Sequence, residues 1–126
     1  IHITFEDNLP LFFCNRNKII QVLINLINNA RDSMPNGGEI TLYGRYLSEQ
    51  HIIELQVSDT GTGIPEMIRN RIFEPFFTTK PIGEGTGLGL SVVLGIVQEH
   101  GGEITVDSIP HSGTTFILRF PVQMPQ

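Results

Sequence analysis

"GEGTGLGLS" (83–91) places glycine at every second position, four in nine residues, directly ahead of "VVLGIVQEHGG" (92–102), an ordinary apolar helix ended by Gly-Gly. A glycine weakens a helix or strand by roughly 0.5–1 kcal/mol relative to alanine, so glycines clustered at a helix start imply that something besides the fold needs the room. A phosphate loop of the G-x-x-x-x-G-K-[ST] type is excluded, because the chain has no Gly-Lys pair. A G-x-G-x-x-G loop fails too: counted from Gly83, Gly85 or Gly87, the sixth position is Leu88, Leu90 or Val92. What remains is G-x-G-x-G entering a helix at Leu88–Leu90. A helix N-terminus offers unpaired N–H groups and about half a positive charge, and glycines before it let those groups reach a phosphate.

Upstream, "TTKPIGEGTG" (78–87) has almost nothing apolar to hold it down and reads as a mobile lid. Lys80 is the only Lys or Arg between Arg71 and Arg119, which makes it the local charge for an anionic ligand. "IFEPFFTTK" (72–80) carries three phenylalanines, of which Phe73 and Phe76 read as core side chains at a loop edge. "PEMIRNRIF" (65–73) reads as a short helix with Pro65 in its first turn.

"SDTGTGIP" (58–65) joins a strand to that helix. Asp59 has a carboxylate, which only accepts hydrogen bonds. It suits the exocyclic amine of adenine and repels the carbonyl that guanine carries at the same place. Gly61 and Gly63 would let the backbone approach a flat base.

The longest predicted helix is "RNKIIQVLINLINNARDSM" (16–34), with Ile20, Leu23, Ile24, Ile27, Ala30 and Met34 in i, i+3, i+4, i+7 order. Gln21, Asn25, Asn28, Asn29 and Asp32 occupy the opposite stripe, with Asn25 and Asn29 stacked one turn apart. Asn is a poor helix former, and a neutral amide oxygen can ligate Mg²⁺. "PNGGE" (35–39) ends the helix.

Around these stretches lie "IHITFE" (1–6), an alternating strand; "LFFC" (11–14), a second short one; a hairpin of "EITLYGRY" (39–46) and "HIIELQVS" (51–58); and a closing hairpin, "EITVDS" (103–108), "IPHSG" (109–113), "TTFILRFP" (114–121). Three helices and about five strands, the strands in hairpins, predict a single α+β domain over residues 1–126. It is a two-layer sandwich in which a mixed, mostly antiparallel sheet packs against three helices.

With 126 residues, 40% of them hydrophobic, the chain can bury a real core. Its net charge of −5 argues against nucleic-acid binding. The single cysteine, Cys14, leaves no internal disulfide and fits a reducing compartment. No run of eighteen apolar residues and no signal pattern is present, so a cytoplasmic domain without membrane contact is expected. A start inside a strand without Met suggests a piece of a longer protein, soluble or membrane-anchored.

The order of the Asn-rich helix, D-x-G-x-G, F-x-P-F and G-T-G-L-G-L-S resembles the catalytic ATP-binding domain of sensor histidine kinases. That domain shares its superfamily and its Bergerat-type ATP-binding fold with gyrase B subunits, mismatch-repair ATPases and a heat-shock chaperone class. The resemblance covers nearly the whole chain, and "NLINNARDSMP", "FEPFFTTK" and "GEGTGLGLS" look most like the nitrogen-regulation type of two-component sensor. It implies ATP and Mg²⁺ as ligands, with Asn29 coordinating the metal and Asn25 a turn below. It further implies that Asp59 reads adenine; that Gly61, Gly63 and Ile64 shape the base pocket; that Gly85, Thr86, Gly87, Leu88, Gly89 and Leu90 line the triphosphate; and that Thr115 in "SGTTF" backs the adenine site.

Two positions depart from the family pattern. The Lys that many members place three residues after the metal-binding Asn is Asp32 here, leaving phosphate charge to Mg²⁺, backbone amides, and Arg31 or Lys80. The Glu base of the hydrolysing relatives is replaced by Asn25, which cannot take a proton from water; this favours a kinase over an ATP-driven clamp. None of His2, His51, His100 and His111 is followed by Asp or Glu, as an acceptor histidine would be. The implied partners are therefore an acceptor-histidine helical domain of the same parent protein and a downstream response regulator. A serine-directed anti-sigma-type kinase and a degenerate nucleotide-binding interaction module stay open as alternatives.

Overall fold

The computed structural model describes residues 1–6, 15–75, 77 and 89–122. The predicted strand 11–14, Cys14, Phe76, Lys80, the lid 78–87 and the Gly85–Leu88 part of the glycine stretch lie outside the described residues.

Five strands form one sheet: β1 (His2–Phe5), β2 (Ile40–Leu47), β3 (Ile52–Asp59), β4 (Glu103–Ile109) and β5 (Gly113–Pro121), in the order β1-β2-β3-β5-β4. β1 runs parallel to β2 and every other pair is antiparallel, giving the mixed sheet expected from the hairpins. Alternation along β5 sends Phe116, Leu118 and Phe120 to one face, where they are buried with Val57 of β3 and Leu42 of β2. Helices α1 (Arg16–Asp32) and α2 (Gly89–Glu99) cover that face, contributing Val22, Leu26 and Ala30 from α1 and Val93, Ile96 and Val97 from α2. The third predicted helix is a 3-10 segment, Glu66–Arg71, shorter than the 65–73 expected.

α1 corrects the predicted core stripe. Ile20 and Ile24 are 42% and 51% exposed, while Val22 and Leu26 face the sheet with Ile19, Leu23 and Ile27 partly buried beside them. Apolar residues cover so much of this helix that the 3.6 period fits more than one rotation. The rotation adopted moves Asn25 and Asn29 from the far side of the helix to the border of the core, where both are only partly exposed.

α1 and α2 run antiparallel and are tied at both ends. The Asn15 side chain caps α1 by accepting from Lys18 N–H at 3.2 Å. At the same end the Asn15 N–H donates to His100 Nε2 at 2.9 Å, and His100 Nδ1 lies 2.8 Å from the Ile96 carbonyl. A carbonyl only accepts, so the proton sits on Nδ1 and leaves Nε2 as the acceptor. Lys18 and Glu99 pair alongside at 2.7 Å. At the other end, Asn25 Nδ2 donates to the Gly89 carbonyl at 3.2 Å.

The opposite face of the sheet carries an ion network. Glu54, fully buried, accepts from Arg45 Nε (2.9 Å) and Gln56 Nε2 (2.8 Å) on one oxygen and from Arg119 Nε (2.9 Å) on the other. It links β2, β3 and β5.

Candidate nucleotide site

The last residue of β3 is Asp59, 8% exposed on the helix-bearing face of the sheet. Ile40 of β2 and Thr114 of β5 flank it across the ladder, both buried. Asp59 Oδ1 accepts the Gly61 N–H at 2.8 Å, an Asx-type turn that fixes the carboxylate. Among the described residues Oδ2 takes no hydrogen bond, so one acceptor remains for a donor brought by a ligand.

The loop after Asp59 is held on every side. Thr60 N–H donates to the Glu39 carbonyl at 3.2 Å, and Thr60 Oγ1 accepts from Glu39 N–H at 3.0 Å. Thr62 N–H donates to the carbonyl of Ser33, the C-cap of α1, at 3.2 Å. His111 N–H donates to the Thr62 carbonyl at 2.6 Å. Ser108 Oγ accepts the Ile64 N–H at 2.7 Å and lies 2.9 Å from Thr114 Oγ1, so one hydroxyl joins loop, β4 and β5.

These contacts give the glycines a structural reason of their own. A Cβ on Gly61 would collide with the Ser33 side chain and carbonyl. Gly63 has φ +75°, and a Cβ there would strike the Ile109 carbonyl. The space they leave is filled by the protein itself, which presses the loop against the end of α1 at Gly61 and against the end of β4 at Gly63.

Asn29 lies one turn before Ser33, so the helix end that holds the Asp59 loop also presents Asn29, with Asn25 one turn further back. Gly89 opens α2 beside Asn25, and Leu90 packs partly buried against the core. Ile64 is likewise partly buried against it. The structure thus gathers Asp59, Gly61, Gly63 and Ile64 in one loop, and Asn25, Asn29, Gly89 and Leu90 at the α1–α2 border.

Thr115 does not belong with them. β5 alternation turns its side chain to the opposite sheet face, where Oγ1 lies 2.9 Å from Ser58 Oγ. Thr114 stands beside Asp59 instead. Counting the period of two back from the apolar Phe120, Leu118 and Phe116 would have selected it. Ser33 and Ser108, which anchor the loop through long-range bonds, carry no such signal.

No group of three or more His, Cys, Asp or Glu side chains able to hold a metal occurs among the described residues. A divalent cation therefore has no carboxylate cage here. The donor set instead fits an ion that arrives with most of its oxygen ligands and takes an amide oxygen from Asn29. No helix among the described residues is long and apolar enough to cross a membrane.

The profile of the histidine kinase-, DNA gyrase B- and HSP90-like ATPases matches residues 14–124. Sporulation kinase A of Bacillus subtilis is 48% identical over 121 residues, which cover 96% of this chain and 19% of that protein. The chain thus spans about a fifth of that relative's length. The nucleotide-free catalytic domain of the histidine kinase ThkA superposes with a TM-score of 0.79 at 37% identity, over 96% of this chain and 78% of that one. ThkA in complex with the response regulator protein TrrA superposes at 0.75, with 35% identity over 96% and 34% of the two chains. Full-length ShkA in complex with AMPPNP gives 0.83 at 27% identity, over 98% and 26%.

Proposed function

Because this chain belongs to the histidine kinase-, DNA gyrase B- and HSP90-like ATPases, as the ATP-binding catalytic domain of a sensor histidine kinase, we propose that it binds Mg²⁺-ATP and donates the γ-phosphoryl group to a histidine on an acceptor helical domain of the same protein. In that step a phosphorus–nitrogen bond to the imidazole forms as the bond to the β-phosphate oxygen breaks, releasing ADP. The phosphoryl group then passes to a response regulator. The work takes place in the cytoplasm.

The observation that carries this reading is Asp59: a buried carboxylate with one oxygen locked by its own loop and the other without a hydrogen bond among the described residues. In the proposed complex it accepts from the adenine amine, with Gly61, Gly63, Ile64 and Thr114 around the base. Asn29 would hold the metal, which would supply charge neutralisation to the phosphates. Lys80 and the stretch from Gly85 to Leu90 meet the phosphates. Asn25 stands where a hydrolase would need a base, which suits transfer to a protein nucleophile over transfer to water.

Asp59→Ala should weaken ATP or ADP binding by about 1–3 kcal/mol, the range for a buried charge-assisted hydrogen bond. The unaltered chain should bind GTP far more weakly than ATP. Calorimetry checks both; equal affinities for ATP and GTP would remove Asp59 as the base reader.

A further inference from the structure

Asn25 and Asn29 share one face of α1 but differ in what they touch. Asn25 Nδ2 reaches 3.2 Å to the carbonyl of Gly89, sixty-four positions away, the first residue of α2. The bonded atom is fixed by chemistry: a carbonyl accepts only, so the amide nitrogen faces it. The α1–α2 pair is already tied at its other end by Lys18–Glu99 and by Asn15–His100. At the α2 N-terminus, Asn25 supplies a side-chain tie. A first helical turn frays readily, since its leading N–H groups have no partner within the helix. Gly89, with no described residue close to its Cβ position, adds little packing to resist that.

We infer that Asn25 is a positioning residue: it clamps the first turn of α2 to α1 and so fixes where that turn lies relative to Asn29. It is not itself a ligand of the metal or the phosphates. This assignment rests on the nucleotide reading for its functional consequence, though the clamp itself does not need it. Removing the donor would loosen the turn, lowering affinity for nucleotide whether or not a metal accompanies it.

Asn25→Asp keeps size and loses the donor; Asn25→Ala removes both partners' contact. Asn28→Ala, exposed on the same helix, is the control. Hydrogen exchange without nucleotide should show faster exchange of the Val93 and Leu94 amides in both Asn25 variants, by about three- to tenfold, the span of one net hydrogen bond. It should not change in the control. ATP affinity should fall by a similar factor with Mg²⁺ and with chelator. A ligand role predicts the reverse, because a carboxylate is the stronger Mg²⁺ ligand: Asn25→Asp would hold or gain Mg²⁺-dependent affinity, and α2 would keep its protection. That pair of results would overturn the assignment. If the unaltered chain bound no ATP, the nucleotide reading would fall, while the exchange measurement would still decide the clamp.

Discussion

An amide side chain can ligate a cation through oxygen or brace a backbone through nitrogen, and in the proposed function the two asparagines on α1 divide those tasks. Asn29 is placed at the helix end nearest the Asp59 loop, where an oxygen ligand is useful. Asn29→Ala should therefore weaken binding of Mg²⁺-ATP more than binding of metal-free ATP, by several-fold, as loss of one neutral ligand from a shared coordination sphere implies. Titrations with Mg²⁺ and with chelator measure the difference; an equal loss in both would make Asn29 structural. At this scale the sequence was legible where one residue has one role. The place of Asp59, at the end of a strand and the start of a glycine turn, was readable from alternation and turn residues. Thr115 could not be told from Thr114 in the sequence, because two adjacent threonines look alike until the strand's period sets which one shares a face with Asp59. Ser33 and Ser108 were not readable at all, since their partners are Gly61 and Thr62 in one case and Ile64 and Thr114 in the other, brought close only by the fold.

Among the elements, the sheet is braced on its outer face by Glu54. Burial opposes its charge, but hydrogen bonds from Gln56, Arg45 and Arg119, with the charge of Arg45, outweigh it and hold the carboxyl below the ordinary glutamate range. A carboxyl depressed in the folded chain contributes stability fully above its unfolded pKa, and that contribution drains as pH falls through the folded value. Glu54→Gln should cost about 1–3 kcal/mol at neutral pH, held to that size because both guanidinium side chains are more than a third exposed to screening solvent. The gap to the unaltered chain should narrow as the pH drops below the carboxylate range. Urea unfolding across that range checks it; a gap that stays constant into acid would contradict the network. The hairpins of this sheet were readable from alternation and turn residues, because each pairing is local. The rotation of α1 was not. Periodicity is an intrinsic property of a helix, whereas the buried face is chosen by the surface it meets, here strands β2 and β3 with Leu42 and Val57, and helix α2. Likewise, nothing in "PEMIRNRIF" distinguishes a 3-10 segment from a short α-helix, since the choice depends on how Pro65 and the Asp59 loop deliver the chain.

At the scale of the whole molecule, the proposed function makes this chain the half of a kinase that holds ATP, with its acceptor on a second element. None of its four histidines has the acidic residue that an acceptor carries next in sequence. His100 is further committed to Asn15 and Ile96. Transfer needs a nucleophile in line with the leaving oxygen, and a separate hairpin lacks the high effective concentration that tethering gives. The direct test is incubation with labelled Mg²⁺-ATP, alone and with the acceptor helical hairpin of the polypeptide this domain serves, followed by measurement of acid-labile phosphate on each component. The account predicts no label on the chain alone, slow ATP hydrolysis, and weak but definite label on the hairpin's histidine. Label on His2, His51, His100 or His111 without the hairpin, or rapid hydrolysis with no transfer to it, would contradict the claim that this chain is the ATP-donating half.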